Sequence, residues 1–217
     1  MNKKITLPKT LAIIGVGLIG GSLGLCLKEK LGDKIFITGL CRTEESMKNA
    51  VELGAVDYAS SDIEKVVGNA EIIFLSPPVL QIVPMVKKIL PYLKPGTILT
   101  DAGSTKKYIS DELKKILPEN IYYIGGHPMT GSEKSGLEAS TDHLFENAYY
   151  IITPETNVPR EKVDAYRSFV ESLSAIPLII AYQEHDYITA AASHLPHVIA
   201  ASLVNTVHDL DSTQNMK

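Results

Sequence analysis

Four sets of residues carry chemistry by their type and spacing. Gly15-Val16-Gly17-Leu18-Ile19-Gly20 is a G-x-G-x-x-G run. His127 stands in Gly125-Gly126-His127-Pro128-Met129, and Ser104 in Asp101-Ala102-Gly103-Ser104-Thr105-Lys106. His194 and His197 lie three residues apart. The glycine run suits a diphosphate. Gly15 allows a tight turn, Gly17 lets a pyrophosphate approach the backbone, and Gly20 lets a helix pack close to a strand. The amides of Leu18, Ile19 and Gly20 at the positive end of that helix then hold the phosphates. His127, between glycines and a proline, is placed to act as a general base or to serve as a structural histidine. His194 and His197 share a helix face. With no thiol or carboxylate at helical spacing beside them, a hydrogen-bonded pair on a packing face is preferred over a metal pair. No metal is expected.

The elements that must position these residues follow from apolar patterning. Leu11 to Ile14 is a buried strand, and the stretch after Gly17 has helical spacing at Ile19, Leu23, Cys26 and Leu27. Strand, glycine turn and helix in this order form the dinucleotide-binding context. The run Leu11–Leu27 follows Lys3, Lys4 and Lys9, as a signal peptide would. It is broken by five glycines, no cleavage site follows it, and it is shorter than the ~20 apolar residues of a membrane span. Further strands are read at 35–40, 56–58, 70–75, 97–100, 121–124, 148–152 and 177–180. Helices are read at 44–54, 79–92, 107–117 and 160–173. Apolar strands alternating with helices predict a doubly wound, mostly parallel α/β sheet of Rossmann type. Ligands in such sheets bind beyond the carboxyl ends of the strands. The loops Cys41–Thr43, Ser76–Pro78 and Asp101–Lys106 therefore join the glycine turn as site candidates. Among them Arg42, Thr43, Ser76, Pro77 and Asp101 are expected at the cofactor. Arg42 stands where an acidic residue would bond the ribose of NAD. It can pair with a 2′-phosphate, lie on the adenine, or simply be an exposed arginine. NAD is expected and NADP stays open. Ser104 or Thr105 is expected to cap the helix at 107–117.

From Tyr182 onward Ile188, Ala191, Ala192, Leu195, Ile199, Ser202 and Leu203 form one helical stripe, interrupted by Pro196. One such helix cannot bury its own stripe. Two domains are expected: a dinucleotide-binding domain over 1–180 and the beginning of a helical one over 181–217. A homodimer through Tyr182–Asp209 is expected. Composition narrows the function classes. The 217 residues are 45% hydrophobic, with net charge −4 and no basic block, so neither nucleic acid nor a membrane is an expected partner. The two cysteines read as free thiols of a cytoplasmic protein.

Taken together, the motifs GVGLIGGS, DAGSTK at 101–106, GGHPMTGSEKSG at 125–136, ENAYYIITP at 146–154 and SHLPHVIAASL at 193–203 resemble the prephenate dehydrogenase family. The resemblance implies oxidation of prephenate with NAD or NADP and loss of CO2, giving 4-hydroxyphenylpyruvate in tyrosine biosynthesis. Arogenate is the related substrate. It implies that His127 and Ser104 are catalytic, both bonding the substrate ring hydroxyl. It also implies that Ser132, Glu133 and His197, with His194 beside them, line the substrate pocket. The family's later glycine-rich segment and its carboxylate-gripping arginine are not found before Lys217. The chain is therefore expected to be a member cut within its helical domain, or else a fragment that binds cofactor without turnover.

Overall fold

The structure, a computed structural model, describes residues 7–214. Lys3, Lys4 and Lys217 lie outside the described residues. Eight strands form one sheet in the order β3-β2-β1-β4-β5-β6-β7-β8. They are β1 (Thr10–Ile14), β2 (Phe36–Leu40), β3 (Tyr58–Ser60), β4 (Ile72–Leu75), β5 (Ile98–Asp101), β6 (Tyr122–Pro128), β7 (Tyr149–Pro154) and β8 (Ile176–Ile179). All neighbours are parallel except β6 and β7. The order reverses between β1 and β4. Their diverging connections open a crevice there.

The helices are α1 (Leu18–Leu31), α2 (Glu44–Glu52), α3 (Ile63–Val67), α4 (Val79–Ile89), α5 (Lys107–Leu113), α6 (Arg160–Ser172), α7 (Tyr182–Thr189) and α8 (Leu195–Gln214). Alternate strand residues feed opposite faces of the sheet. Leu11 and Ile13 pack with Leu23, Leu27, Phe74 and Phe169. Ala12 and Ile14 pack with Ile73, Leu75, Ile82 and Leu99 on the other side. Two apolar layers thus fix the central strands from both faces. Cys26 and Cys41 are buried free thiols within the first layer, and burial pushes the Cys26 thiol up to about 11.

Several boundaries differ from the sequence expectation. The strand expected at 56–58 begins at Tyr58, because the Asp57 carboxylate accepts from the Ile37 amide (2.7 Å) and from Lys28 (2.6 Å). The helix expected over 79–92 ends at Ile89 and tightens into a 3-10 turn at Leu90–Tyr92, where Pro91 has no amide hydrogen to continue the α-helical ladder. The helix expected over 107–117 stops at Leu113.

Beyond β8 the chain is helical. A π-helical turn at Ala190–His194 separates α7 from α8. Pro196 follows at the second position of α8, so the break expected from this proline takes the form of a widened turn just before it. α7 packs on α5 and β7. In α8 Leu195, Ile199, Leu203 and Val207 are all exposed. The helical unit Tyr182–Asp211 is long and apolar enough to cross a membrane by length and composition.

Candidate active site

The crevice is built from the glycine turn upward. Gly15 has φ of +95°, and a Cβ there would lie 2.9 Å from the Ser76 carbonyl carbon. Only glycine joins β1 to α1 this closely. The Ser76 hydroxyl donates to the Gly15 carbonyl (2.7 Å) and ties the β4 loop to the β1 loop across the crevice. Gly20 abuts the same turn, and its Cβ would lie 2.3 Å from the Gly15 carbonyl oxygen. Gly17 is different, because a Cβ added there would meet nothing within 4 Å.

Gly17 is also the N-cap of α1. It supplies no capping side chain, and no acidic residue stands in the first turn. The first-turn amides of a helix have no intrahelical acceptor. Those of Leu18 and Ile19 are therefore left for a ligand beside the open space at Gly17, with the helix dipole behind them, while Gly20 is buried against the turn. These residues fit a diphosphate. The switch point, rather than cavity size, marks this place. A cavity of ≈ 400 Å³ lined by Asn69, Glu71, Thr97 and Ile98 lies at the opposite end of the strands.

The second wall comes from the end of β5. Asp101, expected to touch cofactor, is instead fully buried and turned into the protein. One carboxylate oxygen accepts from Tyr123 (2.7 Å) and from the Gly126 amide (3.4 Å). The other accepts from the Gly103 amide (2.9 Å) and pairs with the buried Lys106 ammonium. With both oxygens engaged, Asp101 holds the 101–106 loop in shape and has no oxygen free for a ligand. Burial pulls the Lys106 pKa below its ordinary value, and Asp101 opposes that pull. The loop is thereby presented with Ser104 exposed.

Neither Ser104 nor Thr105 caps α5. Lys106 is the N-cap residue and makes no side-chain cap bond. The Asp186 carboxylate of α7 caps it from a distance instead, accepting from the amides of Lys106 (2.7 Å) and Lys107 (3.0 Å). Local sequence offered two good capping residues, but a tertiary contact supplies the cap.

His127 is next to last in β6, 8% exposed. Its Nδ1 lies 2.8 Å from Nε2 of His185. His185 is fully buried, and its Nδ1 lies 2.7 Å from the Asp186 carboxylate. Nε2 of His127 bonds to no described residue, so it is the ring atom on offer to a ligand. Burial, reinforced by the charges of Lys106 and His185, pushes the His127 imidazole down to about 3. That lies well below the ordinary imidazole value near 6.5. His127 is a neutral acceptor throughout the physiological range.

This depression has a consequence for stability. Above pH 6.5 the folded and unfolded chains are both neutral at this residue. Below it the unfolded chain takes up a proton that the native chain refuses until about pH 3, so stability falls over that interval. At about pH 5 the loss is about 2 kcal/mol. Urea unfolding at about pH 7 and pH 5 should show the native chain losing about 2 kcal/mol more than His127→Asn.

The remaining candidates divide. Arg42 is exposed beside the end of β2. Thr43 caps α2, its hydroxyl accepting from the Ser46 amide (3.1 Å). Pro77 lines the crevice against Gly15. Ser132 and Glu133 stand exposed in the loop after β6, where the Ser132 hydroxyl accepts from the Lys134 amide (3.2 Å). His194 acts electrostatically on His127, disfavouring its cation. His197 is exposed, with Nδ1 2.8 Å from the Ser193 carbonyl. The structure thus leaves His194 exposed but within electrostatic reach of His127, and Ser132 and Glu133 on an open loop. His185 and Asp186 were absent from the sequence expectation. Their one visible sign is a histidine beside an aspartate at the start of a helical stretch.

Both parts of the chain match models of one family. Residues 23–177 match the family described as "Prephenate dehydrogenase, nucleotide-binding domain", and residues 181–217 match "Prephenate dehydrogenase, dimerization domain". The chain belongs to the prephenate dehydrogenase family. The prephenate dehydrogenase of Bacillus subtilis (strain 168) is 34% identical over 200 residues, which are 92% of this chain and 54% of that relative. The chain therefore spans about half the length of that curated relative. Among solved structures, the prephenate dehydrogenase from Aquifex aeolicus in complex with hydroxyphenyl propionate and NAD+ aligns with a TM-score of 0.85 at 32% identity. That alignment covers 95% of this chain and 71% of the other. The arogenate dehydrogenase of Synechocystis aligns at 0.83 with 31% identity, covering 96% and 74%. In this prephenate dehydrogenase family member the glycine turn, the 101–106 loop and His127 all stand at carboxyl ends of strands in one sheet.

Proposed function

We propose that this chain binds NAD on the Gly15–Gly20 turn and supports oxidative decarboxylation of prephenate to 4-hydroxyphenylpyruvate. The observation that carries the proposal is the neutral imidazole of His127. It is held through Nδ1, offers Nε2, and lies on the carboxyl-end side of the sheet that carries the phosphate turn. The first-turn amides of Leu18, Ile19 and Gly20 would hold the diphosphate, with Ser76 and Pro77 beside it and Arg42 and Thr43 toward the adenosine. When bound, NAD supplies a hydride acceptor for the carbinol carbon of the substrate.

The chain's own residues manage the proton. As hydride is lost, the ring hydroxyl becomes the conjugate acid of a ketone. Such a group gives up its proton even to the weak base that burial makes of His127. Nε2 takes that proton, and Ser104 holds the same oxygen by a hydrogen bond. The ring carboxylate then leaves as CO2, and its bonding electrons complete the aromatic ring. His194, His197, Ser132 and Glu133 surround the substrate's side chain and carboxylates in this reading.

Residues 1–180 would form the dinucleotide-binding domain and residues 181–217 the start of the helical one. The exposed apolar residues of α8 favour a homodimer through Tyr182–Asp209 in the cytoplasm. His194, His197, His208 and Asp209 along the same helices favour a protein partner over lipid. Arogenate is the second reading, favoured by the likeness to the Synechocystis enzyme.

Assays crossing prephenate and arogenate with NAD and NADP, followed by nicotinamide absorbance, test both readings. The highest kcat/KM is expected for prephenate with NAD. Reduction of neither cofactor by either substrate would remove the catalytic reading.

A further inference from the structure

We propose that Asp186 and His185 are positioning residues that fix the tautomer of His127, leaving its Nε2 unprotonated and its Nδ1 protonated. The geometry carries the argument. Asp186 reaches His185 Nδ1 at 2.7 Å through the same oxygen that accepts from the Lys106 amide at 2.7 Å. Its other oxygen accepts from the Lys107 amide at 3.0 Å. An ionised carboxylate only accepts, so His185 Nδ1 must carry a hydrogen.

A neutral His185 then has a lone pair at Nε2, 2.8 Å from His127 Nδ1. That lone pair can only accept, so His127 Nδ1 must donate. Its own lone pair falls on Nε2, which faces the ligand side. The Thr189 hydroxyl, 3.4 Å from His185 Nε2, can donate to the same lone pair and is consistent with this polarity.

The groups around the relay favour it. His185 is fully buried, which disfavours the imidazolium that would reverse the order, and the nearby Lys106 charge adds to this. Burial raises Asp186, but hydrogen bonds from His185 and the amides of Lys106 and Lys107 outweigh it and keep the carboxyl below its ordinary range. His194 and Lys106 both oppose a positive His127. A free histidine side chain in water favours the opposite tautomer, with hydrogen on Nε2. That form could not accept a proton from a substrate hydroxyl. The relay thus selects the form that the proposed reaction needs, and to that extent the inference rests on that reading.

The primary test is independent of turnover. Two-bond nitrogen–proton correlation spectra of the full chain with ring-labelled histidine report each tautomer. The signal of His127 is assigned by its loss in His127→Asn. The native chain is expected to show Nδ1 protonated and Nε2 bare. A protonated Nε2 in the native chain would overturn the proposal even if the enzyme were fully active.

His185→Leu removes the acceptor and should let the Nε2-protonated form appear, with kcat lowered about 10- to 100-fold and the Kd for NAD unchanged. His185→Gln keeps an acceptor oxygen and should restore part of both signals. An unchanged His127 tautomer in a folded His185→Leu would also overturn it. If turnover is absent from the native chain while the tautomer is as expected, the relay stands and the catalytic reading fails.

Discussion

His127→Asn is expected to slow NADH formation from prephenate by about 10³-fold while leaving the Kd for NAD within about twofold. The separation follows from position. His127 stands near the end of β6, and the phosphate turn follows β1, with β4 and β5 between them in the sheet. Three strand spacings put them about 14 Å apart. Asparagine keeps a polar side chain of similar reach but has no basic nitrogen to receive the proton at Nε2. Loss at the buried end is small by comparison, because an asparagine amide can still donate toward His185. Stopped-flow absorbance gives the rate, and calorimetric titration gives the affinity. A rate within tenfold of the native value would take the proton-accepting role away from His127.

Gly20→Ala and Gly17→Ala are expected to fail in different ways. At Gly20 the added Cβ would lie 2.3 Å from the Gly15 carbonyl oxygen, 2.7 Å from the Ser76 hydroxyl and 2.8 Å from an Ile13 methyl. The first of these is backbone and cannot rotate away. α1 must shift, destabilising the fold by about 3 kcal/mol and spoiling the phosphate turn. At Gly17 the new methyl meets no protein atom within 4 Å. Stability should change by less than about 1 kcal/mol, the ordinary difference between glycine and alanine at an N-cap. The methyl would instead occupy the space that a diphosphate needs, weakening NAD about a hundredfold, or about 2.8 kcal/mol. Urea unfolding and calorimetry on the two variants separate the effects. Native NAD affinity in a folded Gly17→Ala would place the cofactor elsewhere.

Much of the fold was legible because local and global signals agreed. The run Leu11–Ile14 is apolar at every position, as a strand covered on both faces must be, and the glycines after it permit the tight turn that follows. The placement of candidate residues was legible where local pattern suffices: Gly17 stands in the turn after β1 and His127 near the end of β6. It was not legible where partners come from afar. Asp101 has the type and loop position of a ligand contact, but Lys106, Tyr123 and two amides claim its oxygens. Tyr123 and the Gly126 amide reach it only because β5 packs against β6. Ser104 and Thr105 are sound capping residues, yet Asp186, 80 positions beyond Lys106, provides the cap. The depressed basicity of His127 is likewise a tertiary property, because burial beside Lys106 and His185 cannot be read from flanking glycines.

The most direct test is a crystal structure of this chain grown with NAD and a para-substituted phenol that mimics the product. The pyrophosphate is expected on the amides of Leu18 and Ile19, and the phenol oxygen about 2.8 Å from Nε2 of His127. A diphosphate bound away from the glycine turn, or an Nε2 turned into protein with the phenol elsewhere, would contradict it.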